Sequence, residues 1–187
     1  MKVLTFDTET TGFLASGKDK TDPAQPRIVQ LAALLKDGDK VLGQMNFMIK
    51  PDGWTVPFGA ANVHGITTDI AEANGIPIVI ALNVFNRFAT LADLAVAHNF
   101  PYDDTVIQAE FARIGRVSAH VSKPSFDTMI ASTDICKIPS KRGGFKYPKL
   151  IEAYKFFFGK EFDGAHNAMN DVEACAQIHE ELVRRNS

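Results

Sequence analysis

Four carboxylates stand in three distant polar motifs: Asp7 and Glu9 in FDTETTG, Asp103 in AHNFPYD, and Asp171 in AHNAMND, with His166 five residues ahead of Asp171. Each motif ends an apolar run or opens a helical pattern, so a compact fold has to gather these acids at the ends of its buried elements. Acids gathered in that way are costly to ionise unless a cation sits among them. The expected cations are two divalent ions, Mg²⁺ or Mn²⁺.

The elements that carry the motifs follow from periodicity. Residues 2–6 form a short apolar run that ends at Asp7 and reads as a central strand delivering its last side chains to a cleft. Residues 28–36 and 41–50 are strand-like and flank an Asp37-Gly38-Asp39 turn, which predicts an antiparallel, three-stranded start to a sheet. Apolar residues at three- and four-residue spacings predict helices over 79–92, 103–115, 148–158 and 168–185. The run LAVAH at 94–98 reads as a buried strand. Strands followed by helices define an α/β class with a mixed sheet. Residues 13–27 and 137–149 read as polar loops, and the second carries Lys137, Lys141, Arg142, Lys146 and Lys149 with no acid among them.

A chain of 187 residues, 45% of them hydrophobic, supports one domain over 1–187 with a sizeable core. Its formal charge of −2 creates no global field for a polyanion, so any nucleic-acid contact must rest on a local basic patch. Cys136 and Cys175 lie far apart with no CxxC pair, and the start of the chain has no secretory pattern, so a cytoplasmic location is expected. The longest apolar run, 76–82, is far below the roughly 20 residues that span a bilayer, and no membrane role is expected.

Each motif has a local chemical reading beside an ordinary structural one. In a regular strand Asp7 and Glu9 emerge on one face and can share a metal, while Thr8 points into the fold. Taken alone, the pair also describes a solvated strand end. Asp103 opens a helical pattern, where a carboxylate can cap free N–H groups, unless Asp104 is the cap and leaves Asp103 to face the site. An imidazole such as that of His166 is suited to removing a proton from water, provided a metal is there to acidify that water. His64, His98, His120 and His179 suit structural roles, His179 most clearly because it falls on the apolar stripe of the last helix.

Three motifs in this order and spacing are far more specific than any one of them. They resemble the DEDDh type of DnaQ-like 3′→5′ exonucleases, in the ribonuclease H-like superfamily, over residues 2 to about 182; FDTM at 126–129 and HGIT at 64–67 also look like that family's pattern. The resemblance implies a mixed five-stranded sheet flanked by helices, and two-metal hydrolysis of phosphodiester bonds at single-stranded 3′ ends, with DNA the favoured substrate. On this reading Asp7, Glu9 and Asp171 hold the metal that activates water, Asp7 bridges to a second ion with Asp103 assisting, and His166 is the general base.

The resemblance also implies substrate contacts from Thr8, Thr10, Thr11, Gly12, Phe13, His64 and Asn99. Phe13 could stack on a base or fold back onto the core. Lys141 and Arg142 could track phosphates or be an ordinary solvated loop. A polymerase or replication partner is an expectation, although the short segment after the last helix, ending at Asn186 and Ser187, offers no binding tail. The alternatives are RNA trimming, hydrolysis of dinucleotides or other small esters, and a non-catalytic module that only holds an end. The intact acid set argues against the last.

Overall fold

The computed structural model describes residues 1–164 and 166–185. Ala165, in the AHNAMND motif, and the terminal Asn186 and Ser187 lie outside the described residues.

Three antiparallel strands, β1 (Lys2–Thr10), β2 (Ile28–Asp37) and β3 (Lys40–Met48), open the sheet, and two short parallel strands, β4 (Leu94–Ala97) and β5 (Ser125–Asp127), complete it in the order β3-β2-β1-β4-β5. The helices are α1 (Phe58–His64), α2 (Thr68–Asn74), α3 (Ile78–Leu91), α4 (Phe100–Arg113), α5 (Thr128–Cys136), α6 (Leu150–Phe158) and α7 (Ala168–Arg185), with a 3₁₀ turn at Ala119–Ser122. This is the expected mixed five-stranded sheet. Among the described residues, no helix is long and apolar enough to cross a membrane.

The two faces of β1 explain how the acids meet. Leu4 and Phe6 belong to the core that α3 and α4 build with Leu82, Phe85, Ile107 and Phe111. Phe6 sits edge-on to Phe85, with ring centroids 5.4 Å apart at 86°, a contact worth about 1 kcal/mol beyond the area it buries. Strand alternation sends Thr5, Asp7 and Glu9 to the opposite face. There α7 packs Ala168, Val172 and Ala176 on Ala32 and Leu34 of β2. The first strand thus points its acids toward the helix that carries Asp171.

Several boundaries differ from the sequence reading. β1 runs on to Thr10 because its polar half still pairs with β2, from Asp7 with Ala32 to Thr10 with Ile28, so the two acids lie within the strand rather than after it. α4 starts at Phe100, three residues before the expected start, so Asp103 falls inside its first turn. α1, α2 and α5 carry no apolar stripe to detect: α1 buries none of its residues, α2 buries only Ala71, and α5 buries Thr128 and Ser132. The loop over 13–27 is there, tied down by Arg27 to Glu110 at 2.8 Å and by Arg113 to the backbone of Pro23 and Gln25.

Candidate active site

Asp7, Glu9, Asp103 and Asp171 all line one cleft of about 500 Å³, together with His166, His64, Asn99, Thr8, Thr10, Gly12 and Phe13. Strand β1 supplies Asp7 and Glu9, the first turn of α4 supplies Asp103, and the first turn of α7 supplies Asp171.

Asp103 is fixed from β1. Its Oδ1 accepts from the Thr8 backbone N–H at 2.9 Å and from the Thr8 hydroxyl at 2.6 Å, and the residue is only 3% exposed. Thr8 points into the fold as strand alternation requires, and this contact reaches from one side of β1 to the acid on α4. The helix start is held in turn by Asp127, which ends β5. Its carboxylate accepts from the N–H groups of Asn99 and Phe100 at 3.1 and 3.0 Å, and from Met129 and Ile130 as the cap of α5. Asn99 adopts a left-handed backbone, φ 69°, at the head of α4. The cap position is therefore Asn99, and the reading of Asp104 as a cap is corrected. Burial alone would raise the Asp104 carboxyl, but hydrogen bonds from His120, Lys20 and Gln108 hold it down at about 2.

The start of α7 hangs on β2. Gln30 Oε1 accepts the Ala168 N–H at 3.2 Å, while the Gln30 amide donates to Asn46 Oδ1 at 2.8 Å. His166, in a left-handed conformation at φ 67°, donates its backbone N–H to Asp171 Oδ2 at 3.3 Å and leaves its side chain exposed. Donor atoms of Glu9, His166 and Asp171 lie within 4.8 Å of one another, a spacing suited to one cation. Asp171 Oδ1 is buried without a hydrogen-bond partner among the described residues.

The electrostatics agree with that geometry. Burial, then repulsion from Asp103, Asp171 and Glu9, raises the Asp7 carboxyl well above the usual range. Burial and the charges of Asp171 and Asp103 push Glu9 up to about 8. Asp103 rises through burial to about 7 even though the Thr8 hydrogen bonds oppose the rise, and burial takes Asp171 to about 6 against the opposing effect of His166. Asp7 feels all three of the other acids and is the electrostatic centre of the group. A buried carboxylate cluster that retains protons near neutrality, with a lone pair of Asp171 unsatisfied, is matched to divalent cations, whose binding displaces protons.

The rim is shaped by a hydroxyl clamp. Tyr102, immediately before Asp103, donates to the Gly12 carbonyl at 2.7 Å and meets the Thr10 hydroxyl at 2.5 Å. Phe13, the next residue, is 96% exposed, lines the cleft together with Ala60 and Val63 of α1, and does not fold back on the core. His64 lines the cleft with Nδ1 accepting the Ile66 N–H at 3.1 Å. Its Nε2 has no hydrogen-bond partner among the described residues; burial lowers its pKa, and the Thr10 carbonyl partly offsets that.

Not every expected contact residue reaches the cleft. Thr11 uses its hydroxyl to accept the Arg27 N–H at 2.9 Å, closing the base of the 13–27 loop. Lys141 and Arg142 also lie outside the lining, on the 137–149 segment. The three remaining histidines are structural. His120 bonds Ser118 and Asp104, His179 packs edge-on to Phe126, and His98, which does touch the cleft, bridges Thr128 and the Pro148 carbonyl, each at 2.9 Å. Of three further supporting residues, Tyr102 and Asp127 lie inside the AHNFPYD and FDTM motifs, whereas Gln30 sits in an apolar strand run that carries no sequence signal for its role.

A mixed five-stranded sheet with acids gathered from its central strand and two flanking helices defines a nuclease-type fold of the ribonuclease H-like class. Solved structures share it. E. coli Exonuclease I in complex with a dT13 oligonucleotide superposes with a TM-score of 0.76 at 25% identity, over 98% of this chain and 41% of that one. Another Exonuclease I structure gives 0.75 at 26% identity, again over 98% of this chain and 41% of the other. The family model of the RNase_T exonucleases matches residues 4–179, and the chain belongs to that family, as a DnaQ-like 3′→5′ exonuclease domain. A DNA polymerase III subunit epsilon-like protein of Rhodobacter capsulatus is 33% identical over 181 residues, which are 96% of this chain and 23% of that relative. The chain thus spans about a quarter of that relative and about two fifths of Exonuclease I.

Proposed function

We propose that residues 1–187 form a single exonuclease domain, cytoplasmic and metal-dependent, that removes nucleoside 5′-monophosphates from the 3′ ends of single-stranded nucleic acid, with DNA favoured. The observation that carries this reading is the convergence of Asp7, Glu9, Asp103 and Asp171 from three separate elements, with carboxyls raised in the cluster and one buried Asp171 oxygen unsatisfied.

Asp7, Glu9 and Asp171 would hold one Mg²⁺ or Mn²⁺, and Asp7 with Asp103 a second. When bound, such a pair supplies acidification of water and stabilisation of charge on the attacking and leaving oxygens. The chain's own part is positional. Thr8 and Asp127 lock the acid of α4, and Gln30 locks the start of α7. His166 stands exposed beside Glu9 and Asp171, where a ring nitrogen can take the proton of an attacking water and return it to solvent. Its backbone bond to Asp171 keeps that ring near the metal-binding acids. Thr10 and Gly12, fixed by Tyr102, would form a slot for the terminal nucleotide with the exposed Phe13 and with His64, which lines the same cleft.

The preference for DNA draws support from the oligonucleotide in the Exonuclease I complex and from the polymerase-related name of the R. capsulatus protein. Association with a polymerase in proofreading is part of the same proposal. The test is digestion of matched 5′-labelled single-stranded DNA and RNA with Mg²⁺, Mn²⁺ or chelator. A ladder shortening from the 3′ end is expected, dependent on metal and lost in Asp7→Ala. His166→Ala should retain a small residue of activity, about 10²–10⁴-fold below the parent. An Asp7→Ala protein that digests as fast as the parent refutes the site.

A further inference from the structure

The segment between α5 and α6 is not the loose solvated loop its composition suggests. Ser140 donates its N–H to the Gly144 carbonyl at 3.0 Å, Lys146 donates to Ile138 at 2.9 Å, and Pro139 bridges Phe145 in antiparallel fashion. Gly143 and Gly144, at φ 88° and 68°, supply the left-handed residues that turn the chain. The product is a small hairpin with Lys141 and Arg142 at its tip.

Its base is joined to the cleft. His98 lines the cleft and holds the Pro148 carbonyl at 2.9 Å, so Tyr147 lies one residue from that contact. From there the arm back to Arg142 runs about six residues, at most about 20 Å if every residue had strand rise and less with the turn at Gly143 and Gly144. Two aromatic side chains along it face solvent, Tyr147 at 62% and Phe145 at 46% exposure. Lys146 is neutralised by Glu152 at 2.6 Å, whereas Lys141 and Arg142 form no ion pair among the described residues. Unpaired cations beside exposed aromatic rings, on a formed hairpin continuous with the acidic cleft, are the elements of a single-strand track: charges for phosphates and faces for bases.

We infer that this hairpin is a second binding segment for the phosphate backbone of single-stranded nucleic acid upstream of the terminal nucleotides, and that it makes the enzyme prefer long strands to short ones. The inference rests on the exonuclease reading and adds to it the length dependence of the substrate. It also explains why Lys141 and Arg142 are absent from the cleft itself: they meet phosphates beyond it.

The experiment compares the parent with Lys141→Ala/Arg142→Ala and with the charge-keeping Lys141→Arg/Arg142→Lys. Each is assayed on an oligothymidylate of about 15 nucleotides and on a dinucleotide, across a range of salt; removing two phosphate contacts should flatten the salt slope on the long strand by about 1.4. The ratio of kcat/KM for the long strand to that for the dinucleotide is expected to fall about tenfold in the double alanine variant, by analogy with the loss of two charged contacts. The charge-keeping variant should restore both the ratio and the slope. An unchanged ratio, an unchanged slope, or equal loss on both substrates overturns the inference. Should the parent cleave neither substrate, the exonuclease reading fails separately. The salt dependence of anisotropy for the labelled long strand, parent against double alanine, then decides the track by the same difference in slope.

Discussion

Replacing Asp103 by Asn should stabilise the metal-free protein at pH 8 and weaken it once metal is bound. Asp103 is 3% exposed and its carboxyl is raised to about 7, chiefly by burial, against an ordinary aspartate value of about 3.9. Between those values the folded state keeps a proton that the unfolded chain releases, so folding stability falls as pH rises through the window and stays low above it. About three units at roughly 1.4 kcal/mol each set a ceiling near 4 kcal/mol. Because Asp7, Glu9 and Asp171 share the strain of the cluster, about half of that should appear when one acid is removed, roughly 2 kcal/mol. Asparagine keeps an oxygen for the two Thr8 donors and carries no charge. For a domain of this size the gain corresponds to a rise in Tm of about 4–8 °C at pH 8 with chelator, shrinking toward zero near pH 4. Thermal unfolding at both pH values, with chelator and with saturating Mn²⁺, provides the measurement. With Mn²⁺ the order should reverse, since the parent alone has the full ligand set. Equal melting of parent and Asp103→Asn at pH 8 in chelator would refute the argument that burial of these acids strains the empty cleft.

The same protonation gives a pH dependence to metal binding. Because Glu9 sits at about 8 and Asp103 at about 7, and Asp7 is raised as well, Mn²⁺ should bind more tightly as pH rises from 6 to 8 and release protons as it does so. Titration calorimetry in buffers of different ionisation enthalpy reads the protons directly, and a pH-independent affinity would contradict the assignment. Phe13→Ala should leave stability within about 0.5 kcal/mol, because the ring is 96% exposed. Its effect belongs to substrate: KM should rise by about 5- to 150-fold, the equivalent of roughly 1–3 kcal/mol of base stacking, and an unchanged KM would mean that the ring does not touch a base.

Much of this architecture was legible in the chain. The α7 helix was bounded at Ala168 and Arg185 by its apolar spacing, and the antiparallel start of the sheet by two strand-like runs around Asp37-Gly38-Asp39. Helices that bury little, such as Phe58–His64, left no periodic trace, because a hydrophobic pattern exists only where a face is packed. For the site, alternation along β1 assigned Asp7 and Glu9 to one face and Thr8 to the other. The order of the acidic motifs indicated the family before any geometry was known.

What the sequence determined was the local chemistry: which side chains are acidic, their period in each element, and the turns between them. Tertiary structure alone decided that Thr8 holds Asp103 across 95 positions of chain, that Gln30 caps α7 from 138 positions away, and that Tyr102 clamps Gly12. It also decided that Lys141 and Arg142 stand on a hairpin rooted beside the cleft rather than within it. Spacing along a chain encodes the faces of its elements. Distances between elements, and the carboxyl shifts that burial and neighbouring charge impose, exist only once those faces have packed.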